Sequence, residues 1–132
     1  MISTVIYKAL KNDSDVNSLF EEIAPGVISK DLEKNKLYLS YGLTSTNSDY
    51  TKGFSTPFAE TYSFVFEIFG LIHSNVSKAS DPIRKVLDNL IYKDENIEVV
   101  ESKMVDMYND SKLYEVGVLH SRVIEFEITI DK

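Results

Sequence analysis

The sequence predicts an α+β fold: a four-stranded, mostly antiparallel sheet with helices packed on one face, in the order helix-helix-strand-strand-helix-strand-strand. Three observations predict it. The run from Phe58 to Gly70 alternates with a period of two, placing Phe58, Glu60, Tyr62, Phe64, Phe66 and Ile68 on one side and Ala59, Thr61, Ser63, Val65, Glu67 and Phe69 on the other, the pattern of a strand with one aromatic face. Two stretches, before residue 24 and between residues 76 and 91, instead carry apolar residues at helical spacing. The helical stripes are the natural cover for the aromatic face, because its rings must be withdrawn from water.

Taken in order, Ile2, Val5, Ile6, Ala9 and Leu10 form the first helical stripe, with Ser3 or Thr4 as a cap. Asn12 to Asp15 interrupts it. Val16, Leu19, Phe20 and Ile23 resume the period, with Ser14 or Asp15 as the cap and Ala24-Pro25-Gly26 as the stop. Residues 27–36 are mixed and charged and read as loop. Lys36 to Thr44 alternates Leu37, Leu39, Tyr41 and Leu43 against Tyr38, Ser40, Gly42 and Thr44, the first strand. Ser45 to Pro57 is a polar connection longer than a hairpin needs, with Tyr50 and Phe54 set into it; loops of that length are commonly functional.

After the aromatic strand, Val76, Ala79, Ile83, Val86, Leu87, Leu90 and Ile91 make a helical stripe with Pro82 inside it. Asp81-Pro82 suits a cap and first turn, and a kinked helix from near Asn75 is the alternative. Lys93 to Asn96 is a turn. Ile97 to Asn109 is strand-like with room for a bulge, and Asn109 to Lys112 reads as a tight hairpin connection. Leu113 to Ile130 is the last strand, with Val118, His120, Arg122, Ile124, Phe126, Ile128 and Ile130 sharing a face.

A chain of 132 residues with 43% hydrophobic and 27% charged residues is one ordinary globular domain, spanning 1–132. The net charge of −7 and the lack of a Lys/Arg cluster argue against nucleic-acid binding through a basic patch. There is no cysteine, which excludes disulfides and thiolate metal sites. The first residues do not form a signal-peptide core, and the longest apolar run, Phe64 to Ile72, contains Glu67 and is about half of a membrane span. No membrane partner follows, and the expected compartment is a cytoplasm, where the chain is used or assembled.

No motif carries chemistry. His73 and His120, the two histidines, match no ligand spacing. Glu21 and Glu22 are adjacent and cannot face each other across a cleft from a helix. No nucleophile elbow or glycine-rich phosphate loop occurs. No enzyme activity, cofactor or metal is therefore expected. Phe64 and its neighbours resemble a base-stacking platform only in being aromatic; Glu60 and Glu67 stand where a basic surround would be needed, so they read as core. Glu60 and Arg122 are charges on otherwise apolar faces, which are costly to bury unpaired. Either the sheet projects past the helices into water there, or these residues meet a neighbouring subunit. Tyr50, Lys52 and Phe54 are the expected contacts to another protein, because loop aromatics are enriched at interfaces. A rival class is a ligand-binding or enzymatic α+β domain with a pocket lined by Tyr62, Phe64 and His120.

The opening Ala9-Leu10, Asp13, Val16, Leu19-Phe20 and Ile23-Ala24-Pro25 resembles the start of the tail-completion (tail-terminator) proteins of long-tailed bacteriophages. In that family two short helices lead through a Pro-containing loop to a strand pair, a helix and a strand hairpin, and the likeness extends over nearly the whole chain. The segment Asp31 to Lys36 departs from it in being charged. The resemblance implies a virion structural protein, assembled in the host cytoplasm. It implies a ring homo-oligomer, commonly a hexamer, that ends tail-tube growth and offers a surface to the head-connector protein. Rings of this kind arise from a head-to-tail contact whose rotation closes. Residues 45–57 would occupy the place of the family's tube-reaching loop. Another head–tail connector component of the same kind of virus has a similar layout and is the third reading.

Overall fold

The computed structural model describes residues 2–28, 32, 33, 35–49, 59–88, 90–95, 97–114 and 117–131. Helix α1 (Ile2–Asn12) and helix α2 (Ser14–Leu19) lead into strand β1 (Phe20–Pro25), followed by β2 (Leu37–Asp49), β3 (Ala59–Gly70), α3 (His73–Asp88), β4 (Glu98–Tyr114) and β5 (Gly117–Asp131). The sheet has five strands in the order β1-β2-β3-β5-β4. The α+β class holds, but the expected four strands become five, and the element order gains a strand after the second helix.

The added strand explains itself. A bulge separates Phe20, which pairs with Leu37, from Glu22, which pairs with Tyr38, and Ile23 then pairs with Leu39. The extra residue puts Phe20 and Ile23, three apart, on the same buried face. That spacing imitates a helix, although the chain has already turned to strand. The cap also differs from expectation: the Asp13 carboxylate accepts the backbone N–H of Val16 at 3.0 Å, so the cap is one residue before Ser14.

β1 runs parallel to β2, and the other pairings are antiparallel. A parallel neighbour needs a crossover. It begins at Gly26, whose φ of +100° suits a residue without Cβ. Of its described residues, Glu33 lies at the sheet face away from the helices, where its backbone N–H donates to the Tyr38 hydroxyl at 2.9 Å. Tyr38 is fully buried there, stacked on Phe69 with ring centroids 5.8 Å apart.

The three helices cover the other face. Val5, Ile6 and Leu10 of α1, Val16 of α2, and Val76, Ala79, Ile83 and Leu87 of α3 close over Leu39, Phe64, Phe66, Ile68, Ile124, Phe126 and Ile128. Phe66 sits at the centre, stacked on Tyr41 with centroids 5.4 Å apart and edge-on to Phe126 at 6.2 Å. The aromatic strand is thus core, as its alternation implies; Phe58 lies outside the described residues.

Helix α3 runs unbroken through Pro82. Proline removes one backbone donor and crowds the preceding turn. The carbonyl this frees is that of Lys78; one residue earlier, the Ser77 carbonyl accepts from the Ser80 hydroxyl at 3.2 Å and from the Arg122 guanidinium at 3.3 Å. The expected hairpin connection at Asn109 to Lys112 is instead paired strand, with Asn109 opposite Arg122 and Lys112 opposite Leu119, and the ladder continues to Tyr114 opposite Gly117. β4 carries two bulges rather than one, at Val100 and Val105.

Candidate functional site

The surface features fall at the two ends of the sheet, on its outer face and between the helices. At one end of β3, the Tyr62 hydroxyl donates to the Glu60 carboxylate, on the helix-facing side of the strand and beside Ile128 and Ile130 in register. That hydrogen bond, with burial second, pushes the Tyr62 phenol up to about 12. Glu60 is half-buried, at the rim of the core.

Arg122 lies at the opposite end. Glu60 pairs with Ile130 and Arg122 with Ile68, so eight residues of β5 separate the two levels, roughly 27 Å at the usual strand rise. Arg122 is half-buried and engaged within the chain: Nε donates to the Asn109 side-chain oxygen at 2.9 Å, and Nη1 to the Ser80 Oγ at 3.1 Å. Beside it, the β3–α3 corner brings His73 and His120 together, with ring centroids 5.2 Å apart and planes at 77°. Their 47-residue separation in sequence gave no sign of this; strand register, with Gly70 opposite His120, creates it. No group of three or more His, Cys, Asp or Glu side chains that would hold a metal converges among the described residues.

Tyr50, Lys52 and Phe54, the expected partner contacts, lie outside the described residues. Tyr62, Phe64 and His120, the expected lining of a ligand pocket, are not brought together. Phe64 is 2% exposed in the core, and His120 is level with Gly70, eight residues along β3 from Tyr62.

Two surface hollows lie on the helical side. One, about 430 Å³, sits between the C-terminal ends of α1 and α3, with Ala9, Val86, Leu90 and Ile91 as apolar walls and Asn12 and Lys85 at its rim. Another, about 310 Å³, lies between α1 and the end of β1, bounded by Tyr7, Pro25 and Tyr41. Burial raises the Tyr41 phenol above its ordinary value, and its hydroxyl donates to the Ser3 carbonyl at 3.2 Å.

The outer sheet face carries the third hollow, a groove of about 260 Å³. Its floor is Val65 and the half-buried Glu125 and Glu127; Thr44 and Ser45 of β2 and Val105 of β4 form its banks. Two whole strands, β3 and β5, lie between those banks. In a flat sheet they would stand roughly 14 Å apart. The register shows where the strands depart from regular pairing. Phe64 pairs with Phe126, and the strands flanking this rung are each bulged beside it, at Thr44 in β2 and at Val105 in β4. Bulges bend strands and curve sheets. The sequence allows a bulge in β4 but gives no means of placing it level with another three strands away.

The fold defined here is a bulged antiparallel sheet, roofed by three helices on one face and extended by a parallel edge strand. Its class is shared with a known protein. A chain of the particle described as "Virion of native gene transfer agent (GTA) particle" superposes with a TM-score of 0.75, over 99% of this chain and 95% of that one, at 12% identity. At that identity the likeness is one of fold. No family model matches the sequence, and no curated protein does. No helix among the described residues is long and apolar enough to cross a membrane.

Proposed function

We propose that this chain is a structural subunit of a phage-type virion, acting at the end of the tail. On this reading it forms a ring, commonly of six copies, that stops tail-tube growth and receives the head connector. The observation that carries the virion role is the fold correspondence, which spans almost the full length of both chains rather than one motif. The tail-end position rests on the resemblance of the two opening helices and Pro25 to tail-completion proteins.

The geometry supports a head-to-tail ring in one respect. Glu60 and Arg122 lie at opposite ends of the sheet, so one copy's Glu60 end meets the Arg122 end of the next without either end serving twice. Tyr50, Lys52 and Phe54 are the proposed contacts to the tube. Imaging of the purified chain by negative stain, alone and with preassembled tail tubes, tests this reading. Rings, or caps on tube ends, are expected; tubes that grow to unlimited length in its presence contradict it.

A further inference from the structure

We propose that the outer-face groove centred on Val65 is a docking site for an extended basic segment of an assembly partner, seating an arginine or lysine side chain. The inference rests on the virion reading above and names the chemistry of one partner surface. Three observations carry it.

The first is shape. The groove is flanked by the bulges at Thr44 and Val105, and its volume of about 260 Å³ suits one or two long side chains. The second is its mixed lining. Val65 and Val105, the latter 53% exposed, present methyl groups to an aliphatic stem, while Glu125 and Glu127 stand where the cationic head would arrive. The third is charge. Glu125 is half-buried and pairs across the strands with Val65 and Asp106, not with a base. Among the described residues Glu127 has only Lys103 as a cationic partner, at 3.9 Å, and Lys103 also reaches Glu101 at 3.7 Å. A carboxylate partly withdrawn from water and lacking a full counter-ion favours an incoming cation.

Other occupants fit less well. Nucleic acid brings phosphates to carboxylates. In the ring proposed above, copies of this chain meet through the two ends of the sheet, which leaves this face to another partner. Edge pairing onto β4 is blocked by its own chemistry: two bulges interrupt the strand, and the Asp106 and Asp110 carboxylates accept the backbone N–H groups of Met107 and Ser111, both at 2.8 Å. The partner therefore meets the face of the sheet and is a different, basic protein.

The test is an amide-resolved NMR titration of the full chain with the capped peptide Gly-Arg-Gly-Arg-Gly, its Glu counterpart, and an oligothymidine. Saturable shifts at Thr44, Val65, Val105 and Glu125 are expected with the Arg peptide alone. E125Q should weaken binding about fivefold to tenfold, with E127Q as the second variant should E125Q fold poorly. K103Q, which frees Glu127, should strengthen binding. K11Q, which makes the same charge change on exposed Lys11 in the helical layer, should leave it unchanged. No binding, shifts scattered over acidic residues elsewhere, equal effects of K103Q and K11Q, or preference for the Glu peptide or the oligonucleotide each overturn the proposal. The titration needs no ring, so its failure and failure of the tail-end reading are separate results.

Discussion

Arg122 on β5 reaches across to Ser80 on α3, its Nη1 donating to the serine Oγ at 3.1 Å. Ser80 is 1% exposed, and its own proton goes to the Ser77 carbonyl, so Arg122 supplies the one donor it receives among the described residues. Truncation of Arg122 to Ala leaves a buried oxygen and the Asn109 side chain without that partner. A loss of about 1–3 kcal/mol of unfolding free energy is expected, read from urea denaturation. Arg122→Lys should lose less, since it keeps one donor. An interface role for Arg122 is separable from this tie by comparing assembly of the Lys variant with its stability.

Phe66 is the hub of the core, in contact with Tyr41, Phe64 and Phe126. Phe66→Ala should cost about 3–5 kcal/mol, from lost burial and the cavity left behind. Leu43, one strand away but 52% exposed beyond the helices, should cost less than about 0.5 kcal/mol when changed to Thr. Denaturation midpoints of the two variants check the contrast.

The Tyr62–Glu60 pair predicts a dependence on alkaline pH. The Tyr62 phenol is raised to about 12 by its hydrogen bond to Glu60, against about 10 in an unfolded chain. A raised folded value contributes stability that is whole below pH 10 and is lost as pH climbs through 12. Tyr41, raised by burial, and Tyr92, raised by its hydrogen bond to Asp94, act in the same direction. The denaturant midpoint should therefore drop as the pH rises from about 10 towards 12, and that of Tyr62→Phe should drop less steeply than the parent's.

Asp13 holds α2, a helix of six residues, by one carboxylate bond to Val16. Asp13→Ala should cost about 1 kcal/mol and Asp13→Asn much less, because asparagine keeps an accepting oxygen. Thermal denaturation of the two variants distinguishes the cap from a general charge effect.

The layout of the core was legible because periodicity reports burial directly: Phe64, Phe66 and Ile68, and Val76, Ile83 and Leu87, all point where their spacing says. What escaped depends on relations between strands. Phe20 and Ile23 imitated a helix because a bulge shifted the strand's phase. Asn109-Asp110-Ser111 has the composition of a turn, yet cross-strand partners hold it extended, Asn109 through Arg122 and Ser111 through His120 at 3.5 Å. Pro82 left the start of α3 undecided because proline suits a first turn, and only the packing of Val76 and Ala79 beneath the preceding turns carries the helix back to His73. Of the candidate surfaces, the charges Glu60 and Arg122 were visible as anomalies on apolar faces. Their distance from each other, the His73–His120 contact and the groove at Val65 follow from register alone, which a single strand does not encode.

The most direct measurement is cryo-electron microscopy of particles assembled with this chain and its neighbouring virion proteins. The account predicts a closed ring of this fold capping the tail tube, with the 45–57 segment toward the tube and the outer sheet face against a basic partner. Particles complete without the chain, or density placing it as an isolated monomer away from the tail, would contradict it.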